Sequence, residues 1–197
     1  MTILLASASP RRRELLRNAG ISFRVQAADI DERLVAGESP RDCAKRLARE
    51  KALAVSKSNA GEWVLGADTI VVVDDIILGK PRDADDAARM LRLLAGRRHA
   101  VITGVCVVRV PASGQRSSAR DAEVLTASET TLVTMGQISD EEIRDYVATG
   151  EPMDKAGAYA IQGMASRWIP RIEGDYSNVV GLPVALVYSL LRERGAI

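Results

Sequence analysis

The chain has 197 residues, with 27 Lys and Arg against 26 Asp and Glu and a net charge of +1. A hydrophobic content of 47% with 27% charged residues is too apolar for a disordered chain, and this length predicts one domain, or two small ones, able to bury a core without disulfide or metal staples. The near-balance of charge argues against a dedicated duplex nucleic-acid binder, and a single histidine, His99, excludes a multi-histidine zinc site within one chain.

Hydrolytic chemistry here must therefore use carboxylates and oxygen-loving metals. Aromatic residues are scarce (one Phe, two Trp, four Tyr), which predicts a core of Leu, Val, Ile and Ala. Cys43 and Cys106 lie far apart with no CxxC spacing, so two buried thiols in a reducing cytoplasm are expected. The opening MTILLASASPRRR places its few apolar residues before its arginines, the reverse of a signal peptide. No apolar run approaches the roughly 20 residues that span a bilayer.

In chain order, Ile3–Ala6 reads as a buried first strand, and Ser9-Pro10 as the start of a helix that ends near Gly20. A strand at Phe23–Gln26 leads into the acidic stretch Asp29-Ile30-Asp31-Glu32, and Ser39-Pro40 opens a long helix to about Ser56. Val64-Leu65 and Ile70–Val73 are β-rich, with Gly66-Ala67-Asp68-Thr69 set between them, and Asp74-Asp75 predicts a hairpin into Ile76–Leu78. Asp83 caps a helix that Gly96 ends. Ala100–Val110 and Val124–Met135 are long strands joined by the polar loop Pro111–Glu123, the one stretch expected to be disordered or variable. Ser139-Asp140-Glu141-Glu142 is a capping box for a helix ended by Gly150, and a last helix runs from Pro183 to Gly195. The alternation predicts an α/β fold, with no internal repeat and no linker long enough to divide the chain.

Four places break the local rules. Arg11, Arg12 and Arg13 crowd the first turn of a helix, whose N-terminus is already partly positive. They make sense around an anion: free N–H groups, the hydroxyls of Ser7 and Ser9 and guanidinium forks form a phosphate cradle, with Arg13 on another face. The alternative is a solvated basic turn. Lys51 lies in the apolar stripe of Ala44, Leu47, Ala48 and Val55, where it either snorkels outward or reaches a phosphate or carboxylate. Lys45, Arg46 and Arg49 fall on other faces, as solvated charges do.

Asp68, between two β-apolar runs, is costly to bury unless paired, hydrogen-bonded or bound to metal, and is the foremost carboxylate for catalysis or metal binding. Lys80 is held extended before Pro81 at the edge of the predicted hairpin. Asp154–Gly163 and Gly174–Pro183 are rich in small residues, which allow close approach of a ligand. No Walker A loop, GxGxxG or GxSxG is present, and His99 has no adjacent nucleophile, which favours a structural role.

Taken in order, LLASASPRRRELL at 4–16, ARxKA at 48–52, GADTIV at 66–71, GKP at 79–81, GRRHAVITGV at 96–105, EPMDKAGAYAIQG at 151–163 and GDYSNVVGLP at 174–183 resemble the Maf family of nucleoside triphosphate pyrophosphatases across nearly the whole chain. The resemblance implies a single Maf-like domain over 1–197: a mixed, elongated and twisted sheet flanked by helices, with a cleft between two lobes, similar to the inosine-triphosphatase group. It implies cleavage of the α–β bond of a nucleoside triphosphate with Mg²⁺ or Mn²⁺, in a cytoplasmic homodimer, with neither nucleic acid nor membrane as partner.

Carried over by position, Asp68 matches the proton acceptor, and Arg11, Thr69 and Gln162 match positions tied to substrate selection. Ser7, Ser9, Arg12, Lys51, Lys80 and Lys155 match the polar cleft set. Glu32 matches the second acidic position, so that Glu32 and Asp68 would bind the metal. Ala160 stands where many relatives have glycine. The AYAIQG and DYSNVVGLP segments resemble the branch acting on dTTP, UTP and modified pyrimidine nucleotides, and a glutamine amide suits the edge of a uracil or thymine ring. A 7-methyl-GTP pyrophosphatase and a non-catalytic nucleotide-binding regulator of septum formation are the alternatives.

Overall fold

In a computed structural model the structure describes residues 1–111 and 123–197. Most of the polar loop expected to be variable therefore lies outside the described residues. In chain order the elements are β1 (Ile3–Leu5), α1 (Pro10–Asn18), β2 (Phe23–Val25), α2 (Pro40–Ser56), β3 (Trp63–Val73), β4 (Ile76–Leu78), α3 (Ala84–Leu94), β5 (Arg98–Arg109) and β6 (Glu123–Thr134). They are followed by α4 (Asp140–Ala148), three short 3₁₀ turns within 151–168, β7 (Arg171–Glu173), α5 (Tyr176–Val180) and α6 (Val184–Glu193).

The seven strands form one mixed sheet ordered β2-β1-β3-β5-β6-β7, with β4 paired to β3. β1 lies parallel to both β2 and β3, with Leu4 opposite Arg24 on one side and Val64 on the other. The β3–β4 hairpin and the β6–β7 pair are antiparallel. The fold class expected from the alternation is the one observed.

The capping signals act as read. The Ser9, Ser39, Asp83 and Ser139 side chains each accept a hydrogen bond from the backbone N–H three residues on, and Ser139 with Glu142 completes the capping box. Asp74 and Asp75 turn the hairpin with φ of 46° and 63°, a pair of left-handed residues that matches the twist of the two strands. One expectation is corrected. Gly66–Thr69 does not interrupt two β-runs but forms the middle of a single eleven-residue strand, nearly all of it buried. The sequence marks neither β7 nor α5 nor the 3₁₀ turns.

The described chain divides into two compact units. The first comprises Met1–Asp68, Thr103–Glu129 and Gly181–Ile197; the second comprises Thr69–Ile102 and Thr130–Val180. The first unit has two apolar clusters: Ile3, Leu5, Leu16, Leu65, Val105, Leu182, Val187 and Leu191 make one, and Leu4, Ala48, Ala52, Val55, Val64, Cys106 and Val108 make the other. β1 contributes alternate residues to each, so both faces of the sheet are covered here. The second unit packs Val71, Leu78, Met90, Leu91, Leu94, Ile143, Tyr146 and Trp168 into its own core. Both cysteines are buried free thiols, as expected. No helix among the described residues is long and apolar enough to cross a membrane.

Candidate active site

Helix α2 brings the first unit's charged groups together. Its buried face consists of Cys43, Ala44, Leu47, Ala48, Lys51, Ala52, Val55 and Ser56, which places the lysine inside the predicted apolar stripe. The helix can lie against the sheet because two strand residues have no side chain. A Cβ on Gly66 of β3 would meet the Ala48 carbonyl oxygen at 2.2 Å, and one on Gly104 of β5 would meet that of Ala44 at 2.1 Å. Close approach of this kind is available only to glycine.

From that seat Lys51 points at β3. Its Nζ donates to Asp68 Oδ1 at 2.5 Å and lies 2.7 Å from Glu32 Oε1. Lys51 and Asp68 are only 8% and 7% exposed, whereas the Glu32 side chain is 43% exposed. The ammonium does not snorkel to solvent. It joins a buried carboxylate to one on the acidic loop, an arrangement in which desolvation of each charge is offset by its partner.

Arg12 ties the N-terminal cradle to this cluster. Its Nε donates to the Gly181 carbonyl at 2.8 Å, and its Nη1 donates to the Ala67 carbonyl at 2.8 Å and to Ser7 Oγ at 3.2 Å. Burial pulls the Arg12 pKa below its ordinary value, while the nearby Asp68 charge works in the opposite direction. Ser7 Oγ also accepts from Ser9 N at 3.2 Å, and Ser9 caps α1. Arg12 thus fixes the peptide immediately before Asp68. Arg11 is partly exposed in the same first turn. Ser7, Ser9, Arg12, Glu32, Lys51 and Asp68 form one connected group.

The remaining expected residues belong to the second unit. Thr69 is half-buried on β3, Lys80 is exposed after β4, Lys155 is half-buried and Gln162 is exposed. The segments bearing the two lysines are joined by a hydrogen bond from Gly157 N to the Gly79 carbonyl at 3.1 Å. Lys155 Nζ donates to the Glu151 carbonyl at 2.9 Å and pairs with Asp154.

Two residues that the sequence did not single out hold the stretch around Gln162. The Tyr146 hydroxyl donates to Glu151 Oε1 at 2.7 Å and accepts from Ala160 N at 3.2 Å, and Glu151 Oε2 accepts from Met164 N at 3.3 Å. In sequence Tyr146 is one more apolar-face residue of α4, and nothing there announces the pairing. His99 is structural, as expected: it is 2% exposed, with Nε2 2.8 Å from the Tyr159 hydroxyl. Burial lowers its pKa to about 4 and raises that of Tyr159.

A divalent cation can be tested against the donors present. No group of three or more His, Cys, Asp or Glu suited to a metal occurs among the described residues. Glu32 and Asp68 are nevertheless two hard oxygen donors converging on one cation, the Lys51 ammonium. Mg²⁺ commonly takes one or two protein carboxylates and completes its shell with water and substrate phosphate, so the donor set fits.

A mixed α/β sheet thus carries a buried lysine between two carboxylates, linked through an arginine to a capped helix N-terminus. Residues 2–194 match the family described as Maf-like protein, and the chain belongs to the Maf family. It is similar to the dTTP/UTP pyrophosphatase of Koribacter versatilis (strain Ellin345), at 54% identity over 197 residues, or 100% of this chain and 96% of that one. The dTTP/UTP pyrophosphatase of Geotalea uraniireducens (strain Rf4) is 52% identical, over 99% of this chain and 96% of its own. That of Anaeromyxobacter dehalogenans (strain 2CP-C) is 53% identical, over 98% and 94%. The solved structure of the Staphylococcus aureus Ham1 protein matches at 14% identity with a TM-score of 0.40, covering 68% of this chain and 72% of that chain, too loose a likeness to bear on the fold.

Proposed function

We propose that this chain is a nucleoside triphosphate pyrophosphatase that hydrolyses the α–β phosphoanhydride of dTTP and UTP to the monophosphate and pyrophosphate. The observation that carries the reading is end-to-end identity of 50–54% to relatives named dTTP/UTP pyrophosphatase. The buried Lys51–Asp68 pair with Glu32 gives it a chemical basis.

In this reading Asp68 accepts a proton from the attacking water, in line with the α-phosphorus. Two of the three ammonium hydrogens of Lys51 serve the carboxylates, and the third is left for a phosphate oxygen. Arg12 holds the Ala67 peptide, and with it Asp68, while its charge and the N-terminus of α1 favour the polyanion. Lys80 and Lys155 add positive charge for the departing pyrophosphate, and Arg11, Thr69 and Gln162 select the nucleotide. Glu32 and Asp68 would hold Mg²⁺ or Mn²⁺, which supplies charge neutralisation of the phosphates when bound. The proposal extends to a cytoplasmic location and to a homodimer, the second of which light scattering of the purified protein tests.

The direct experiment incubates the protein with dTTP, UTP and 7-methyl-GTP in Mg²⁺ and identifies the products. Pyrophosphate from the two pyrimidine nucleotides is expected. Orthophosphate as the first product, or 7-methyl-GTP as the preferred substrate, would overturn the assignment.

A further inference from the structure

Arg46 is one of the helix α2 charges that patterning leaves to solvent, and the structure corrects that view. Its side chain is 25% exposed and every nitrogen of the fork is engaged. Nε donates to Glu38 Oε1 at 2.8 Å, and Nη2 donates to Glu38 Oε2 at 2.8 Å and to the Arg33 carbonyl at 3.0 Å. Nη1 reaches Glu50 at 3.3 Å.

The segment it grips joins β2 to α2. Residues 26–39 form neither helix nor strand, and most of them are exposed. Leu34 and Val35 are 57% and 55% exposed and Ile30 is only half-buried, so no large apolar side chain of the loop is fully buried. Such a segment opens easily unless polar ties close it. Arg33, whose carbonyl Arg46 binds, directly follows Glu32. The bidentate pair is also the stronger kind of ion pair: Arg46 holds the Glu38 carboxyl below its ordinary range, and Glu38 raises the guanidinium in turn.

We infer that Arg46 is a positioning residue, clamping the acidic loop through Glu38 and the Arg33 carbonyl so that Glu32 is presented to Lys51 and the cation site. The inference rests on the proposed role of Glu32 in that site. The planar guanidinium grips both Glu38 oxygens side by side through Nε and Nη2 while Nη2 also reaches the Arg33 carbonyl, a geometry that a single ammonium nitrogen does not reproduce, so lysine at this position keeps the charge and loses the clamp.

Hydrogen exchange of the full-length protein without nucleotide, read by mass spectrometry, tests the clamp apart from catalysis. In Arg46→Lys, exchange in peptides covering 27–38 is expected to speed up about tenfold or more, with β1 and α1 unchanged. The Mg²⁺ concentration for half-maximal turnover rises severalfold in the same variant. Glu38→Gln, which leaves α2 intact, reproduces both effects if Arg46→Lys folds poorly. Unchanged exchange at 27–38 in both variants overturns the clamp. Faster exchange with an unchanged Mg²⁺ requirement overturns its link to Glu32. If the wild-type protein releases no pyrophosphate, the proposed function fails, and hydrogen exchange still decides the clamp.

Discussion

A Cβ on Gly66 would lie 2.2 Å from the carbonyl oxygen of Ala48, so strand β3 and helix α2 are in backbone contact at the turn before Lys51. The distance between Lys51 and Asp68 is set by this contact. Gly66→Ala must push the helix away, because the obstructing atoms include the backbone of Ala48 and Ala52. Overpacking against backbone is expected to cost about 3 kcal/mol, with turnover falling as Lys51 retreats. Gly79→Ala, whose Cβ meets nothing within 4 Å, should change stability by no more than about 0.5 kcal/mol. Urea unfolding of the two variants compares them. Equal midpoints would refute the packing account.

The Lys51–Asp68 pair predicts non-additive mutations. Lys51→Met leaves a buried carboxylate without its partner, and Asp68→Asn leaves a buried ammonium with a weaker one. Each single change is expected to destabilise by about 3 kcal/mol, whereas the double variant recovers part of the loss. A coupling energy below about 0.5 kcal/mol in the double-mutant cycle would show that the two charges do not depend on one another. Asp68→Asn should also reduce dTTP turnover at least about a hundredfold while circular dichroism shows the fold retained.

Tyr146 and Glu151 should influence selectivity through main chain. Tyr146→Phe removes the acceptor for Ala160 N and the donor to Glu151 Oε1. A destabilisation of about 1–3 kcal/mol is expected from the groups left unsatisfied. Because Gln162 follows two residues later, kcat/KM for UTP relative to CTP should fall about tenfold, whereas kcat for UTP changes less. An unchanged ratio would disconnect this hydroxyl from base choice.

His99 makes stability depend on pH in the acid range. Its folded pKa of about 4 lies below the ordinary 6.5, so between those values the unfolded chain binds the proton more readily. The contribution is fully present above about pH 6.5, is lost as pH falls towards 4, and levels off below that. The full loss is on the order of 3 kcal/mol. Urea unfolding of wild type and His99→Gln at pH 7 and 4.5 measures it: the wild type should lose distinctly more stability on acidification. Parallel losses would assign the acid sensitivity to other groups.

The elements legible in the sequence are those whose ends are chemically marked. Ser39-Pro40 gives the start of α2, and the stripe containing Lys51 fixes the face it buries. Asp68 stands out because a carboxylate among β-formers needs a partner wherever it lies. The identity of that partner does not follow from spacing, since Lys51 is seventeen residues away and the contact depends on helix α2 resting on Gly66.

β7 and α5 were not legible because each is too short to show a period. β7 exists through its register with β6, and α5 is held by Asn178, whose amide donates to the Val101 carbonyl and to Thr131 Oγ1, both at 3.0 Å. Arg46 is illegible for a related reason. A charge off the apolar stripe looks solvated until the loop that returns to it is known.

The hydrogen bond from Arg12 to Gly181 spans 169 residues of chain, and Leu182, Val187 and Leu191 beyond it belong to the same core as Ile3 and Leu5. During synthesis the serines and arginines of the first helix leave the ribosome early, but the carbonyl that receives Arg12 and the apolar face that covers β1 are translated near the end. The guanidinium has to stay hydrated until then. The Asp68 end of the Lys51 cluster is therefore assembled late, and a nascent chain that stalls before residue 181 carries the acidic and basic residues of the candidate site without the scaffold that brings them into register.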